Sequence, residues 1–433
     1  WVQPLGTPER TSASHVEGTF ELGKPFLDGF DIALPEGMVS GVGQARIRVD
    51  LRRGEPAAFA LDSDLNRIGL RIPALAWRKP QSATGRLQIS GTLGPVPRLE
   101  DVLLEAPGLA VRGDVRLRPG GGLEVAALSQ VSVGDWMNAP VTLTGRGSGL
   151  PPAVSVGAGW VDLRKTDLAK GTGRGGGGGA VTQPVKLALD RLVLTKGITL
   201  RNFRADLTKA ATLTGPFSGS VNGAAPILGQ LAPGASGGSR IRITSQDAGA
   251  LFREAGLFRK GSGGTAEIVL TSRAEPGQYD GTLTVRNTRV QSAPGLAAIL
   301  NTISVIGLLD QLNGPGLLFN TIAADFRLTP EAVEVTGASG AGPSLGITMA
   351  GVYDMSRNLL DFQGVLSPLY VLNGVGQLFG RRGEGLFGVT YRMTGSAQAP
   401  NVSVNPLSVL TPGMFRELFR RTPPTLEKPL AGN

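Results

Sequence analysis

Three aspartates are the residues best suited to chemistry. Asp325, Asp354 and Asp361 lie near one another in the chain, and a glycan-active site needs convergent carboxylates for acid–base work. Each alternates with apolar neighbours or stands at a turn, which is the pattern of an outward strand face. His15 is the one histidine and sits in a polar stretch. A triad or a metal site would have to use it, and it reads as a surface residue. The chain has no Cys, so disulfides, thiolate metal sites and cysteine nucleophiles are excluded. Gly171–Gly179 is glycine-rich like a phosphate loop, but no Lys-Ser/Thr and no helix start follow it. It reads as a flexible loop. No catalytic residue, metal or cofactor is expected, and the chain reads as a non-enzyme.

The formal charge of +9 suits an anionic partner such as nucleic acid, lipid headgroups or lipopolysaccharide. The basic residues do not cluster. They alternate with apolar ones, as in Arg46-Ile47-Arg48-Val49 and Arg240-Ile241-Arg242-Ile243, and read as a solvated sheet face. Nucleic-acid binding would need clustered basic and aromatic residues, so no nucleic acid partner is expected.

The elements available to position any site are strands. Gly at 64 and Pro at 30 punctuate a chain of 433 residues whose 41% hydrophobic content is too high for disorder. Aromatics make up only 5%, so the apolar load falls on Leu, Val, Ile and Ala. Period-2 alternation begins at Ala45–Arg52 and recurs with turns roughly every 8–14 residues, which is all-β spacing. Residues 1–40 are irregular, with a possible strand pair over Glu21–Phe30. The spacing divides the chain into a β-rich segment 1–170, a flexible loop 171–180, a second β-rich segment 181–422 with inserted helices, and a tail 423–433. The opening Trp1-Val2-Gln3 is expected to follow upstream sequence.

Helical patterns appear in the second half. Ser245–Gly256 has Ser245 or Asp247 as its cap and Gly256 as its stop. Ala297–Leu318 contains no Lys, Arg or Glu. In and just before it, Leu296, Ile299, Leu300 and Ile303 share one helical face, and Val305, Leu308, Leu309 and Leu312 share another about 180° away. Either one helix is sandwiched between two apolar layers, or it breaks near Ser304–Gly307. Pro368–Phe379 reads as a further short helix. After Thr411-Pro412-Gly413, Phe415, Leu418 and Phe419 oppose Arg416 and Arg420, giving a basic amphipathic helix suited to a sheet end or an anionic membrane surface.

Several stretches of the last third carry a resemblance. They are Leu308-Leu309-Asp310-Gln311-Leu312-Asn313-Gly314, Ala324-Asp325-Phe326-Arg327-Leu328-Thr329-Pro330, Gly351-Val352-Tyr353-Asp354, Gly364-Val365-Leu366-Ser367-Pro368, Gly385-Leu386-Phe387-Gly388-Val389-Thr390-Tyr391 and Val402-Ser403-Val404-Asn405-Pro406-Leu407. Together they resemble the C-terminal region of the AsmA-like superfamily, in particular its large YhdP-type members from Gram-negative bacteria. Leu75-Ala76-Trp77-Arg78-Lys79-Pro80 is similar to their middle region.

The resemblance implies a mainly β fold: an elongated, twisted, antiparallel-rich sheet curled into an apolar half-pipe, with a few short helices in the C-terminal half. It implies the periplasmic part of a bridge-like lipid transfer protein that shields phospholipid acyl chains between inner and outer membranes. The inner-membrane anchor would lie upstream, and the C-terminal end would meet the outer membrane or its components. Frequent Gly allows a sheet to bend, and aliphatic lining offers few hydrogen bonds to pin a lipid. A stack of roughly 20–25 strands at about 4.8 Å would reach about 100–120 Å. Alternation nominates Leu283, Val285, Ile322, Phe326, Val333, Val335, Ile347, Met349, Phe387, Val389 and Tyr391 as lining. Leu296, Leu300, Ile303, Leu308 and Leu309 would form a lid or plug, one side on the sheet and the other on lipid or membrane. The alternative function is an assembly factor for outer-membrane biogenesis, which would instead need exposed strand edges for its clients.

Overall fold

The structure, a computed structural model, describes residues 13–29, 37–52, 54–94, 96, 98–119, 121–166, 181–234, 238–256, 260–303, 306–368, 388–397, 399–405 and 425–426. The chain is mainly β and divides into two compact units. Unit 1 comprises Trp1–Thr195 with Arg201–Ala211, and unit 2 comprises Lys196–Leu200 with Thr212–Asn433. No helix among the described residues is long and apolar enough to cross a membrane.

Unit 1 holds β1 (Ala13–Gly23), α1 (Lys24–Gly29), β2 (Val39–Arg52), β3 (Ala58–Ser63), β4 (Ile68–Ile72), β5 (Trp77–Lys79), β6 (Arg86–Thr92), β7 (Arg98–Ala106), β8 (Leu109–Leu117), β9 (Leu123–Val133), β10 (Met137–Thr144), β11 (Ala153–Val156), β12 (Trp160–Asp162) and β13 (Gln183–Val193). β14 (Thr199–Lys209) is divided between the units. β1, β2, β3, β6, β7, β8, β9 and β10 pair antiparallel in that order, β4 and β5 form a side hairpin on β2, and β11 and β12 each pair antiparallel with β10 and parallel with β13. Helix α1 stands where a strand pair is expected, and it lies outside the C-terminal half where helices are expected. Its Phe26 stacks on Phe20 of β1 with ring centroids 4.3 Å apart, and Lys24 pairs with Asp28 one turn on at 2.6 Å.

The side hairpin β4–β5 shows how a charge is buried here. Leu65 and Arg67 are left-handed, with φ of 53° and 64°. The side chain of Lys79 runs inward and is 2% exposed. Its Nζ donates to the carbonyls of Leu65 and Ile68, each at 2.7 Å, and to that of Pro80 at 3.4 Å. Burial lowers its pKa, and the charge of Asp64 opposes that shift. Replacing Lys79→Met removes the donors and leaves the carbonyls unpaired. The expected cost is about 1.5–3 kcal/mol, read as a lower urea midpoint at unchanged slope.

Asp162 has a comparable structural role. It accepts from the backbone N–H of Arg164 at 3.1 Å and from its guanidinium at 2.6 and 2.8 Å. The side-chain hydrogen bond from Arg164 chiefly holds the Asp162 carboxyl below its ordinary value of 3.8. A lowered folded value stabilises the fold above the ordinary value, and that contribution is lost as pH falls through the folded value. Asp162→Asn is therefore expected to cost about 1–2 kcal/mol at pH 7. Urea titrations should show the gap to wild type closing as the pH drops below about 4.

Unit 2 holds β15 (Leu213–Val221), β16 (Ala225–Pro233), β17 (Ser239–Ser245), α2 (Ala248–Glu254), β18 (Lys260–Ser262), β19 (Thr265–Ser272), β20 (Tyr279–Gln291), α3 (Pro294–Thr302), α4 (Ile306–Asn313), β21 (Leu317–Leu328), β22 (Ala332–Ala341), β23 (Leu345–Asp354), β24 (Leu359–Pro368), β25 (Val389–Ser396) and β26 (Ala399–Asn405). Its strands pair antiparallel from β15 to β26, with short β18 beside β20. Asp247 caps α2 by accepting from Ala250 N–H at 2.9 Å, while Ser245 turns to the carbonyl of Pro226.

Candidate functional site

Antiparallel register places directly paired residues on one face, so the side-chain rows across a sheet can be followed strand by strand. In unit 2 one such row runs Gly215, Leu231, Ile241, Leu270, Gly281, Phe326, Val335, Gly351, Phe362, Met393, Val402. Every member is apolar or glycine. The row one residue away, on the opposite face, runs Ala232, Arg240, Thr271, Asp280, Arg327, Glu334, Val352, Asp361, Thr394, Asn401. Charges are partnered there: Arg273 meets Asp280 at 2.8 Å, and Arg392 meets Asp361 at 2.7 Å.

Unit 1 repeats the arrangement by itself. Gly18, Ile47, Leu61, Ile89, Val102, Gly113, Leu128, Val141, Val156 and Leu187 form one apolar row. Thr19, Arg46, Asp62, Gln88, Leu103, Arg112 and Gln130 form a mainly polar row on the other side. Each unit thus carries a sheet with one apolar and one polar face.

The lining nominated from alternation falls on the apolar face of unit 2. Leu283, Val285, Ile322, Phe326, Val333, Val335, Ile347, Met349, Val389 and Tyr391 all project there by register. Most are half-buried, as side chains on an open sheet face are. Val285 and Tyr391 are covered, at 0% and 3% exposure. Tyr391 donates its hydroxyl to Thr348 O at 2.8 Å, and burial pushes its pKa well up. Phe387 lies outside the described residues, as do Phe415, Arg416, Leu418, Phe419 and Arg420 of the expected membrane-surface helix.

Several members of the face were not nominated. Ile241, Ile243, Ile268 and Leu270 lie upstream of the segment where faces were assigned, although their alternation with Arg240 and Arg242 carries the signal. Leu360, Phe362 and Leu366 alternate with Asp361, Gln363 and Val365 just as clearly.

Rings on this face lie down over glycines on the next strand. A Cβ added at Gly229 would overlap the ring of Phe217, and one at Gly281 the ring of Phe326. At Gly351 the neighbouring strand itself comes close: a Cβ there would overlap the Asp361 carbonyl and meet Phe362 at 2.8 Å. All three are direct cross-strand pairs.

The apolar insert forms two helices, α3 ending at Thr302 and α4 beginning at Ile306, with Ser304 and Val305 outside the described residues. Both stripes turn onto the same cluster. Leu296, Ile299, Leu300, Ile303, Leu308, Leu309 and Leu312 pack with Ile322, Val335, Ile347, Met349, Phe362, Leu366, Tyr391 and Met393. The break explains why two stripes 180° apart need no second layer: the hairpin brings both to one sheet face. Leu300 and Leu312 are 0% exposed, so the inner side of the hairpin meets protein.

The three aspartates do not converge. Asp325 is exposed on the polar face of β21. Asp361 is bound by Arg392, and Asp354 closes a turn by accepting from Ser356 and from Arg357 N–H. His15 is exposed on β1, opposite Asp50. Among the described residues no group of His, Asp or Glu could hold a metal ion. Comparison with known proteins finds no matching family model, no matching curated protein and no matching solved structure.

Proposed function

We propose that this chain is a lipid-carrying segment: the periplasmic part of a phospholipid transport protein that spans the space between inner and outer membranes. The single observation that supports it is the unbroken apolar row across the sheet of each unit. A compact domain buries such a face under a second sheet. Here Ile241, Ile243, Ile268, Leu270, Leu283 and Ile322 stay half-buried, which is where an acyl chain would lie once the sheet curls into a half-pipe. Each methylene removed from water is worth about 0.8 kcal/mol, so seating roughly eight is worth about 6 kcal/mol. That holds a tail firmly and without selectivity among tails. The polar face would keep such a protein in water, and anchorage to the inner membrane would be supplied by sequence upstream.

Organic-solvent extraction of the purified chain, followed by mass spectrometry, tests the reading. Bound phospholipid at one or more molecules per chain is expected. A lipid-free protein would overturn it in favour of an assembly role.

A further inference from the structure

The α3–α4 hairpin occupies part of the face assigned above to acyl chains. Among the described residues its hydrogen bonds to the sheet are at its ends. Ser292 N–H donates to Leu312 O at 3.3 Å, Gln291 Nε2 to Gly314 O at 3.1 Å, and Arg289 to Gly316 O at 3.3 Å. Between those ends the helices meet the strands through aliphatic side chains. The chain enters through Ser292 at φ 48°, a left-handed conformation that is unfavourable for a side chain other than glycine, and leaves through Gly316 at φ 87°. At its foot the hydroxyl of Thr288 is fully buried and has no hydrogen-bond partner among the described residues. Helices of nine and eight residues do not hold in isolation. The hairpin is therefore helical because the apolar face lies beneath it.

We propose that the α3–α4 hairpin is a displaceable cover, holding the place of an acyl chain and lifting about Ser292 and Gly316 when lipid enters over β22–β25. The inference rests on the lipid-carrying reading. An acyl chain makes the same kind of contact with Ile347 and Leu366 as Leu300 and Leu312 do, methylene for methylene, so the strands keep their burial, while the leucines and isoleucines of the lifted helices must be taken up by the lipid surface itself. Directional bonds would resist such an exchange, and among the described residues they lie only at the ends. Ile306, 69% exposed at the start of α4, gives the hairpin an apolar tip that a lipid surface can engage.

The absence of native Cys makes a direct test possible. A Cβ at Gly295 would lie 2.9 Å from the sulfur of Met393, so Gly295→Cys with Met393→Cys is placed to tie α3 to β25. In that full chain a diazirine-bearing aliphatic residue is placed at Ile347, under the hairpin, or at Leu283, outside its cluster. The protein is incubated with phosphatidylethanolamine vesicles and irradiated, oxidised or reduced. Lipid adducts at Ile347 are expected to be at least tenfold fewer in the oxidised protein, with adducts at Leu283 equal in both states. Equal adducts at Ile347 in both states would overturn the cover, and so would adducts at Leu283 alone in both. Adducts at neither position in either state would remove the lipid-carrying reading, and the cover with it.

Discussion

On the lipid-carrying proposal, a carboxylate in the open part of the apolar face is expected to stop lipid movement while leaving the protein folded. With Leu283→Asp, transfer of fluorescent phospholipid between donor and acceptor vesicles should fall at least tenfold, and Leu283→Ala should change it less than threefold. Leu283 lies on β20 in register with Ile268 and Ala324. It is half-buried, so a charge there remains hydrated in the empty protein and costs the fold little. A tail crossing the position must strip that hydration. Desolvating a carboxylate costs several kcal/mol, and only about 1.4 kcal/mol in a barrier is needed for tenfold in rate. The contrast between transfer and content is diagnostic. In a conduit one obstacle acts in series with everything else, so transfer collapses while the lipid extracted from the protein changes little. Transfer within twofold of wild type would exclude passage over β20.

Leu366→Ala should destabilise the protein by about 2–5 kcal/mol. Leu366 is 0% exposed and lies in the cluster beneath the α3–α4 hairpin. Truncation removes three heavy atoms from a site closed by Ile347 on one side and by Val389 on the other. Strand backbones joined by hydrogen bonds cannot close the gap, so the cavity term adds to the lost transfer energy. Val389→Ala, in the same row but half-buried, should cost about 1 kcal/mol or less. The two variants compared by urea unfolding separate coverage from mere membership of the face. Equal losses would mean that the cluster is not a packed core.

Much of this was legible because alternation is local. Leu283, Ile322, Ile347 and Val389 could be set on one face from spacing alone, and the strands do place them there. The break in the apolar insert was legible for the same reason, since two stripes half a turn apart cannot share one straight helix and one sheet. What was hidden depends on partners distant in sequence. Lys79, read within Trp77-Arg78-Lys79-Pro80, carries no sign that carbonyls of a left-handed turn at Leu65–Arg67 await it. The turn of β1 into α1 is hidden likewise, because Phe20 and Phe26 suit a strand pair as well as the ring stack they form. Which part of the face α3 and α4 would cover followed only from the folded hairpin.

The rings folded over Gly229 and Gly281 set the relief of the apolar face. An upright phenylalanine would stand above its aliphatic neighbours as a ridge. Laid across a glycine, it contributes area without height. On the lipid-carrying proposal, the friction on a tail sliding along the face would depend on the corrugation of the energy from one strand to the next, not on its mean depth. Paired rings and glycines would then keep the mean attraction high and the corrugation low, so that residence on the face and speed along it would not be opposed. Phe326 and Gly281 are then matched as a height, and a side chain added at Gly281 would push the Phe326 ring off its seat and raise the face there.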